Sequence, residues 1–525
     1  MHQIASPRHL RRWLLRSAAG LLLAIMLGLV AALIYARSTR LPPALNMSSA
    51  MDSMPMAPGM PMAHMPISSA GATSLTQLVA PPSSAPIKTF TLTAMPARID
   101  PGDGQLIDAM TLNGSVPGPT LRVQQGDQVV VHVINHLSVS TSIHWHGISV
   151  PNAEDGVAGV TQDAIQPGQS YTYRFIATDT GTYWYHSHQD TAIQVPRGMY
   201  GALVVDPRQA SEHDDLDQIV FLHEWGAPDG CRATCPETLS LNDQRDQLRL
   251  VARPGSQVRI RLINSGEDGH VVSVIGAPVR VIALDGHDLN RPTPLSGVNL
   301  AIGPAQRIDI RMQVPLQQAI TLIDSDERAT PAGQHPRAII GDATAPAAAV
   351  PADLSSVALF DPTSYGSPAS DPISLQSHFD EQYSLNLGSH LGMFNGQFTM
   401  LFTINDQAYP AIPAILVRPG DLVKLHFTNT GGMLAIPHPM HLHGHVFTLL
   451  AQNGKPLSGS PVHLDTLVVQ PDESYDVAFV ANNPGLWMLH CHIVDHDGHG
   501  MDMMVVYPHI ATPYTIGSAS GNNPF

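Results

Sequence analysis

Apolar and polar positions alternate in the same way in three separate stretches of the chain. In each stretch a turn glycine precedes a closing asparagine by nine residues, and the residues between them alternate as in a strand with one buried face. The stretches are residues 121–135, 250–264 and 416–429, with turn glycines Gly126, Gly255 and Gly420. One β-unit is therefore predicted three times along the sequence.

A second element, a short turn that leads into another alternating strand, follows each stretch. Its three copies are residues 167–171 (PGQSY), 303–307 (GPAQR) and 470–474 (QPDES). The repeat and the length of 525 residues predict an all-β chain of three Greek-key β-sandwich domains. We place these domains at 87–206, 207–370 and 371–511, with a C-terminal tail at 512–525.

The first forty residues are predicted to direct export. An apolar run from Ala18 to Ala36 follows a cluster of arginines: Arg8, Arg11, Arg12 and Arg16. The run is near the lower limit for a membrane span, so a cleaved signal sequence and a retained N-in membrane anchor both fit. Residues 11–16 resemble a twin-arginine signal, although Leu10 stands where Ser or Thr is usual, and an ordinary basic segment is the alternative. Either alternative places the body outside the cytoplasm, in the periplasm.

Residues 41–86 are rich in Pro, Ser, Ala and Met and have almost no charge, which predicts a flexible linker. Seven methionines and one histidine fall close together in it: Met47, Met51, Met54, Met56, Met60, Met62, Met65 and His64. Thioethers are soft ligands that select Cu(I). The tract is therefore either a Cu(I)-binding segment or a low-complexity spacer.

Composition narrows the classes of function. Apolar residues make up 43% of the chain and charged residues 13%, with 45 Pro and 42 Gly, as in sheets joined by many turns. The formal charge of −16 argues against a nucleic-acid partner held through its phosphates. The 27 histidines matter only where they cluster, because a lone His is more often a surface or core residue than a ligand.

Histidines cluster in four His-x-His pairs that match between the first and third copies. The pairs are His144 and His146, His186 and His188, His441 and His443, and His490 and His492. Both imidazoles of a pair face the same way, because successive side chains of a strand point to opposite faces. Eight imidazoles are expected to converge where the first and third domains meet. The middle copy has no such pair and is predicted to be a copper-free spacer.

Cys491 lies between two of these histidines and must face away from them, towards a separate site. Three further candidate ligands of that site are His438, His496 and Met501. Two imidazoles, one thiolate and a weak axial thioether form the blue-copper electron-transfer set. Ser187 takes the place of the cysteine in the first copy, which is therefore predicted to hold no blue copper.

The segments HWHG (144–147), HSH (186–188), HPMHLHG (438–444) and HCHIVDHDGHGM (490–501) resemble those of three-domain, laccase-like multicopper oxidases with cupredoxin-like domains. The resemblance covers about residues 87–511 and implies four coppers per chain. It implies a type 1 copper at His438, Cys491, His496 and Met501. It also implies a type 2 copper at His144 and His441, and a type 3 pair at His146, His186, His188, His443, His490 and His492.

The resemblance further implies two catalytic acids, since O2 reduction consumes protons. Asp155 falls where the family places the acid beside the type 2 copper. Asp497 falls where many bacterial members have a proton-donating Glu, and the alternative is that Asp495 and Asp497 are solvated loop acids.

Several other residues match no ligand position. Met503 is the fallback axial ligand, and His445 and His499 are expected to be structural. Cys231 and Cys235 are expected to form a disulfide outside the cytoplasm, since a zinc site would need partners that are not seen nearby.

These features imply an exported oxidase in which a donor reduces the type 1 copper and O2 is reduced to water. The expected donors are Cu(I), with a role in copper tolerance, and also phenols or Fe(II), entering at an exposed edge of His438 or His496. One alternative is a laccase without a role in copper detoxification. Two others are a periplasmic copper-storage protein that uses the Met tract and a two-copper nitrite reductase, which would need no type 3 pair.

Overall fold

The structure is a computed structural model that describes residues 7–49, 71–102, 104, 106–209, 212–225, 238–325 and 335–525. The predicted disulfide between Cys231 and Cys235 lies outside the described residues. So do the six methionines of the tract from Met51 to Met65.

The chain begins with α1 (Pro7–Ser38), which contains the predicted apolar run. Its portion Gly20–Ser38 has 19 residues with a mean hydropathy of 2.1 and is not buried against the rest of the protein. A helix of this length and composition is sufficient to cross a bilayer. The same properties fit an N-terminal signal sequence.

The first sandwich packs two four-stranded sheets face to face. Its strands, after β1 (Thr73–Ser74), are β2 (Ile87–Ile99), β3 (Ile107–Leu112), β4 (Gly118–Gln124), β5 (Gln128–Asn135), β6 (His144–His146), β7 (Ser170–Ile176), β8 (Gly181–His186) and β9 (Tyr200–Asp206). The sheet orders are β3-β2-β5-β7 and β4-β9-β8-β6. Val129, Val131 and Val133 of β5 are fully buried, as the alternation in this stretch predicts. The short helix α2 (Thr191–Gln194) precedes β9.

The middle sandwich has two six-stranded sheets. Its strands are β10 (Leu216–Trp225), β11 (Thr238–Leu241), β12 (Gln247–Val251), β13 (Gln257–Asn264), β14 (His270–Ile275), β15 (Val279–Leu284), β16 (His287–Asp288), β17 (Val298–Ile302), β18 (Arg307–Gln313), β19 (Ile320–Asp324), β20 (Arg337–Gly341) and β21 (Ala358–Leu359). The sheet orders are β11-β10-β13-β18-β15-β16 and β12-β20-β19-β14-β17-β21.

The third sandwich has a seven-stranded and a five-stranded sheet. Its strands are β22 (Glu381–Phe394), β23 (Gln397–Ile404), β24 (Ile415–Leu416), β25 (Leu422–Asn429), β26 (His438–Leu442), β27 (Phe447–Gln452), β28 (Lys455–Pro456), β29 (Val462–Leu464), β30 (Thr466–Val469), β31 (Ser474–Val480), β32 (Leu486–Cys491) and β33 (Asp502–Val506). The orders are β23-β22-β25-β31-β27-β28, with β29 on β27, and β24-β33-β32-β26-β30. Helix α3 (Val494–Gly498) links β32 to β33, and β34 (Ile510–Ala511) follows. Three β-sandwiches confirm the predicted all-β fold.

The prediction of a flexible linker over 41–86 is wrong at both of its described ends. Met47 is only 1% exposed and its sulfur accepts a hydrogen bond from the Tyr409 hydroxyl at 3.4 Å. On the far side, β1 pairs in parallel with β34, and Leu75 is fully buried. Both ends of the linker contact other parts of the chain over only one or two residues. Such short contacts produce no alternation of apolar and polar residues, so the sequence does not reveal them. Met47 is therefore a core residue and not part of an exposed Met tract.

Candidate metal centre

Two pairs of buried strands bring the eight imidazoles together between the first and third sandwiches. In the first sandwich β6 and β8 pair so that His144 lies opposite His186. In the third, β26 and β32 pair so that His441 lies opposite His490. None of the eight side chains is more than 4% exposed. The predicted convergence of four His-x-His pairs is therefore present in the fold.

The eight imidazoles form three groups whose ligand atoms lie within 4.8 Å of one another. The groups are His146 with His186 and His492, His188 with His443 and His490, and His144 with His146 and His441. Each group combines side chains of both sandwiches. Rings also stack across the boundary, with centroid separations of 3.9 Å for His144 on His443 and 3.7 Å for His146 on His441. Neither sandwich alone can complete any of these groups.

Hydrogen bonds determine which nitrogen of each ring is free to bind a metal. Four rings direct Nδ1 at a backbone carbonyl: His144 at Asp155 (2.8 Å), His186 at Ser187 (2.9 Å), His188 at Pro524 (2.9 Å) and His441 at Asp465 (2.9 Å). A carbonyl only accepts, so Nδ1 carries the hydrogen and Nε2 keeps its lone pair. In all four rings Nε2 is buried without a protein partner. Unpartnered buried acceptors are costly unless a metal binds them.

Two further rings direct their Nε2 atoms at each other, as two ligands of one cation do. His443 donates from Nδ1 to the Asp155 carboxylate at 3.1 Å, and His490 donates from Nδ1 to the Cys491 carbonyl at 3.1 Å. Both Nε2 atoms therefore carry lone pairs, yet they face each other at only 3.1 Å. Two lone pairs at this distance repel each other unless a cation lies between them. The residues present therefore fit copper.

Burial keeps these rings in the neutral form that binds metals. It is the main cause that lowers the pKa of His492 to about 3, with a further contribution from His441. It also holds the pKa of five other rings well below the ordinary value of 6.5: His146, His186, His188, His443 and His490.

A second, separate group lies on the opposite side of the β32 strand. The Cys491 sulfur lies 3.3 Å from Nδ1 of His496 and 3.9 Å from Nδ1 of His438, and the two Nδ1 atoms are 3.2 Å apart. Burial raises the pKa of the Cys491 thiol, and a coordinated metal would remove its proton. Met501 is fully buried and its backbone bonds to both Cys491 and His496 at 3.0 Å. This is the arrangement expected for a blue-copper set.

The two predicted catalytic acids are both buried at the imidazole cluster. Asp155 accepts from His144 through its carbonyl and from His443 through its carboxylate. The Asp497 carboxylate is 2% exposed and lies 3.5 Å from Nδ1 of His490. Burial, followed by the neighbouring Asp502, raises the pKa of Asp497 well above its ordinary value. Asp497 is therefore not a solvated loop acid, whereas the Asp495 side chain is 52% exposed.

Asp465, Thr466 and Arg307 were not identified from the sequence. Asp465 is fully buried, and its carboxylate accepts a hydrogen bond from Nε2 of His146 at 3.0 Å. Thr466 lies 3.2 Å from the same nitrogen. Arg307 forms an ion pair with Asp465 at 2.5 Å. The only signal was a single acid in the mainly apolar segment 462–469, which also contains His463 and Thr466. That signal is too weak to indicate a site.

Arg307 belongs to the middle sandwich, so the interpretation of that copy as a spacer is wrong in this respect. Among the described residues, the metal-ligand groups consist of side chains of the first and third sandwiches. The middle sandwich instead contributes Arg307, which binds Asp465, and Asp465 in turn binds the candidate ligand His146.

Two histidines that match no ligand position, His445 and His499, also lie outside these groups. His445 donates to the His443 carbonyl at 3.0 Å and contacts the Tyr507 hydroxyl at 2.8 Å. His499 bonds to the Asp495 carbonyl at 2.8 Å. Met503 lies in β33, opposite Leu489. Their contacts agree with structural roles.

One sandwich contains a site of two histidines and one cysteine, and Cys491 joins it to a cluster of eight histidines at the boundary with another sandwich. This combination defines the class of blue-copper oxidases. The family description "Multicopper oxidase" matches residues 94–210 and 382–509. The chain is 30% identical over 486 residues to the multicopper oxidase MmcO of Mycobacterium tuberculosis, covering 81% of this chain and 88% of that protein. The chain belongs to the multicopper oxidases, oxidoreductases that use O2 and four coppers.

Two further comparisons agree. The chain is 28% identical to Laccase-1 of Botryotinia fuckeliana, over 79% of this chain and 82% of that protein. The crystal structure of a multi-copper oxidase from Pseudomonas thermotolerans superposes with a TM-score of 0.64 at 28% identity, covering 81% of this chain and all of that one. The likeness thus extends over all three sandwiches.

Proposed function

We propose that this oxidase takes single electrons at His496 from phenols and from Cu(I), and that it serves copper tolerance outside the cytoplasm. When bound by the candidate ligands, four coppers would supply the redox chemistry, because reduction of O2 to water consumes four electrons and the donor gives them singly. The observation that carries the proposal is a cavity of about 1030 Å³ against His496. Helix α1 supports export, as a signal sequence or as an anchor with its N-terminus in the cytoplasm.

The cavity lies between the middle and third sandwiches and suits an aromatic donor. Phe360, Ile436 and Tyr475 contribute apolar and aromatic surface, and Asp361 and Glu473 contribute carboxylates. A carboxylate can accept the proton that a phenol loses on oxidation. His496 lines this cavity and His438 does not. His496 is thus the better supported of the two predicted entry points.

Electrons pass from this site to the imidazole cluster along a short covalent path. Cys491 carries the sulfur of one site, and its two neighbours, His490 and His492, belong to two different groups of the other. The backbone also links the sites, because His490 donates to the Cys491 carbonyl. The tripeptide therefore holds donor and acceptor sites at a constant separation.

We propose that Asp497 delivers protons to the cluster and that Asp155 orients its rings. Replacing Asp497 by Asn should lower turnover by about 10²-fold while preserving the blue colour, because general acid catalysis contributes at least that much. Asp495→Asn is the matched control, since its side chain is exposed. Equal turnover in the two variants, measured by O2 consumption, would exclude the proton-donor role.

The Met tract supports Cu(I) as the second donor. The described residues on either side of the tract lie at neighbouring points of the body, since Ser48 accepts a hydrogen bond from the Thr512 amide and the Thr73 amide donates to the His509 carbonyl. Six soft ligands tethered there would raise the local concentration of Cu(I). The residues that line the His496 cavity include no Met or Cys, so the cavity itself has no soft ligand for Cu(I).

Steady-state kinetics with a methoxyphenol and with Cu(I) test the two donors separately. Deleting residues 51–65 should raise the KM for Cu(I) and leave methoxyphenol oxidation unchanged. Ile436→Trp, which fills part of the cavity, should raise the KM for the methoxyphenol above all. If the deletion changes neither reaction, the tract has no part in catalysis and a laccase without a detoxification role is the better description.

A further inference from the structure

The middle sandwich contacts the residues that surround the candidate metal centre, and its central contact is the side chain of Arg307. This arginine is fully buried, at the start of β18. Its guanidinium meets the Asp465 carboxylate in a fork, with Nη1 2.8 Å from Oδ1 and Nη2 2.5 Å from Oδ2. Bidentate pairs of this kind fix the orientation of a carboxylate as well as its charge.

Every N–H of the Arg307 guanidinium has an acceptor. The five contacts are Nε to Thr182 O (3.1 Å), Nη1 to Ala305 O (3.3 Å) and Asp465 Oδ1 (2.8 Å), and Nη2 to Asp285 O (3.0 Å) and Asp465 Oδ2 (2.5 Å). Thr182 belongs to the first sandwich, Ala305 and Asp285 to the middle one, and Asp465 to the third. A single side chain therefore joins all three sandwiches.

Two more groups of the middle sandwich hold the same short segment of the third. The Asp285 carboxylate accepts from the backbone N–H of Asp465 at 3.2 Å and of Thr466 at 3.1 Å. The Gln306 amide donates to the Thr466 carbonyl at 3.0 Å. Asp465 and Thr466 are therefore held through both side chain and backbone.

The two residues so held are the partners of two candidate copper ligands. Nε2 of His146 lies 3.0 Å from the Asp465 carboxylate and 3.2 Å from the Thr466 hydroxyl. Nδ1 of His441 donates to the Asp465 carbonyl at 2.9 Å. The nitrogens left free are Nδ1 of His146 and Nε2 of His441, and both are buried without a protein partner. Asp465 thus leaves a different nitrogen free to bind a metal on each of the two stacked rings, Nδ1 on His146 and Nε2 on His441.

Space for this arrangement exists because the residue after His146 is a glycine. A Cβ on Gly147 would overlap both the Arg307 guanidinium and the Asp465 carboxylate, and φ at this position is +87°. The glycine of the HWHG segment is therefore favoured both by its backbone conformation and by the space that the ion pair fills.

The repeated turn shows that Arg307 is particular to the middle copy. Gly168, Ala305 and Asp472 have φ values of 77°, 68° and 61°, so these residues occupy equivalent turn positions. Two residues later the three copies carry Ser170, Arg307 and Ser474. The middle copy thus has a long cation where the copper-binding copies have a serine.

We propose that Arg307 is a positioning residue for the type 2 copper, acting through Asp465 and Thr466 on His441 and His146. The guanidinium neutralises the buried Asp465 carboxylate and fixes its plane, which keeps Nε2 of His441 directed at the metal. Loss of such an outer partner typically lowers metal affinity about 10- to 100-fold. The proposal rests on the copper assignment but not on the identity of the donor.

Arg307→Lys is the decisive variant, because it keeps the charge and loses the fork. We expect type 2 copper affinity to fall by about 10- to 100-fold. Fewer than four coppers per chain should then remain after dialysis, with altered type 2 hyperfine splitting by electron paramagnetic resonance. The blue absorption of the type 1 copper should persist. None of these readouts needs a donor, so a failed donor assignment would leave the result intact.

Arg261→Lys is the matched control. Arg261 is also buried in the middle sandwich and forms a bidentate pair with Asp217 at 2.7 and 2.8 Å. Its guanidinium also donates to the hydroxyl of Thr182 at 2.7 Å, so it shares this neighbour with Arg307. It lies outside the contacts of Asp465. Its replacement should weaken folding and leave the type 2 signal unchanged.

Two outcomes would overturn the proposal. One is full type 2 copper with an unchanged spectrum in Arg307→Lys, and the other is an equal loss in Arg261→Lys. If Arg307→Lys does not yield folded protein, Gln306→Ala removes the hydrogen bond to the Thr466 carbonyl, together with the one that the Gln306 side chain accepts from the Gly303 amide within the middle sandwich. That milder variant should still shift the type 2 hyperfine splitting, and an unchanged spectrum there would equally contradict the proposal.

Discussion

The first and third sandwiches fill one equivalent position of their fold in opposite ways. In the third sandwich the position holds His438, Cys491 and His496. In the first it holds Thr141, Ser187 and Gln194. For two of the three residues the correspondence follows from the sequence, because Thr141 precedes His144 by three residues as His438 precedes His441, and Ser187 and Cys491 each separate two histidines. Gln194 takes the third place through its hydrogen bonds to Thr141 and Ser187.

We call each set of three residues a trio: Thr141, Ser187 and Gln194 in the first sandwich, and His438, Cys491 and His496 in the third. The polar groups of the first trio are paired by hydrogen bonds. The hydroxyls of Thr141 and Ser187 each donate to the Gln194 side-chain oxygen at 2.7 Å. The Gln194 amide donates to the Ser140 carbonyl at 2.8 Å. All three side chains are buried, as a self-contained polar cluster permits.

The three residues of the third sandwich, His438, Cys491 and His496, do not satisfy one another in this way. Its two imidazole nitrogens and its thiol face one another, and a neutral cluster of this kind has few hydrogens to share. A metal ion satisfies all three at once. The comparison shows that one fold position can be completed by hydrogen bonds alone or by a cation, and that the residue types decide which.

The largest effect is expected from Cys491→Ser, which makes the third trio resemble the first. A hydroxyl is a poor copper ligand, so the blue absorption and turnover should both be lost. Type 2 and type 3 copper should stay bound, because His490 and His492 still face the cluster. Copper analysis and absorption spectroscopy measure both.

The reverse exchange, Ser187→Cys, is the control for that variant. It should produce no blue colour, since Thr141 and Gln194 cannot replace two imidazoles. Retained turnover in Cys491→Ser would show that electrons enter elsewhere.

A smaller effect concerns the acid sensitivity of the metal-free protein. Burial lowers the pKa of His438 to about 4 and, with His438 as a further cause, that of His496 to about 3. As pH falls below about 6.5, the two histidines are protonated in the unfolded chain but still neutral in the folded one. The unfolded state is thereby favoured, so the free energy of unfolding decreases from that pH downwards. The trio of the first sandwich does not titrate. His438→Thr, which copies Thr141, should therefore remove about 2 kcal/mol of the stability change between about pH 7.5 and about pH 5.

Denaturant unfolding of the metal-free protein at the two pH values measures this difference. An unchanged pH dependence in His438→Thr would mean that His438 is protonated alike in the folded and unfolded states.

The smallest effect is expected from Thr141→Val in the first trio. The change removes one of the two hydrogen bonds to the Gln194 oxygen, which still accepts from Ser187, and should cost about 1 kcal/mol in the free energy of unfolding. Copper content and turnover should be unchanged, because no metal occupies this position. Loss of copper in Thr141→Val would show that the two halves of the cluster depend on each other through this trio.

The sequence alone determined the residues that can hold copper. Period-two alternation in a strand dictates that His490 and His492 face one way and Cys491 the other, whatever surrounds them. The threefold repeat likewise showed that the first and third copies share the His-x-His pairs and the middle one lacks them. These are local properties, so they are visible without any tertiary contact.

The tertiary structure decided which residues hold those ligands in place. Arg307 and Asp465 meet across 158 positions of the chain, and Pro524 bonds to His188 across 336. Met47 is likewise buried against Tyr409 rather than free in a linker. Each contact depends on how one sandwich docks on another, and docking follows from the complementarity of whole surfaces. No alternation or spacing within a single segment encodes that, so only the folded chain could reveal that Arg307 of the middle sandwich pairs with Asp465 beside the candidate copper ligands.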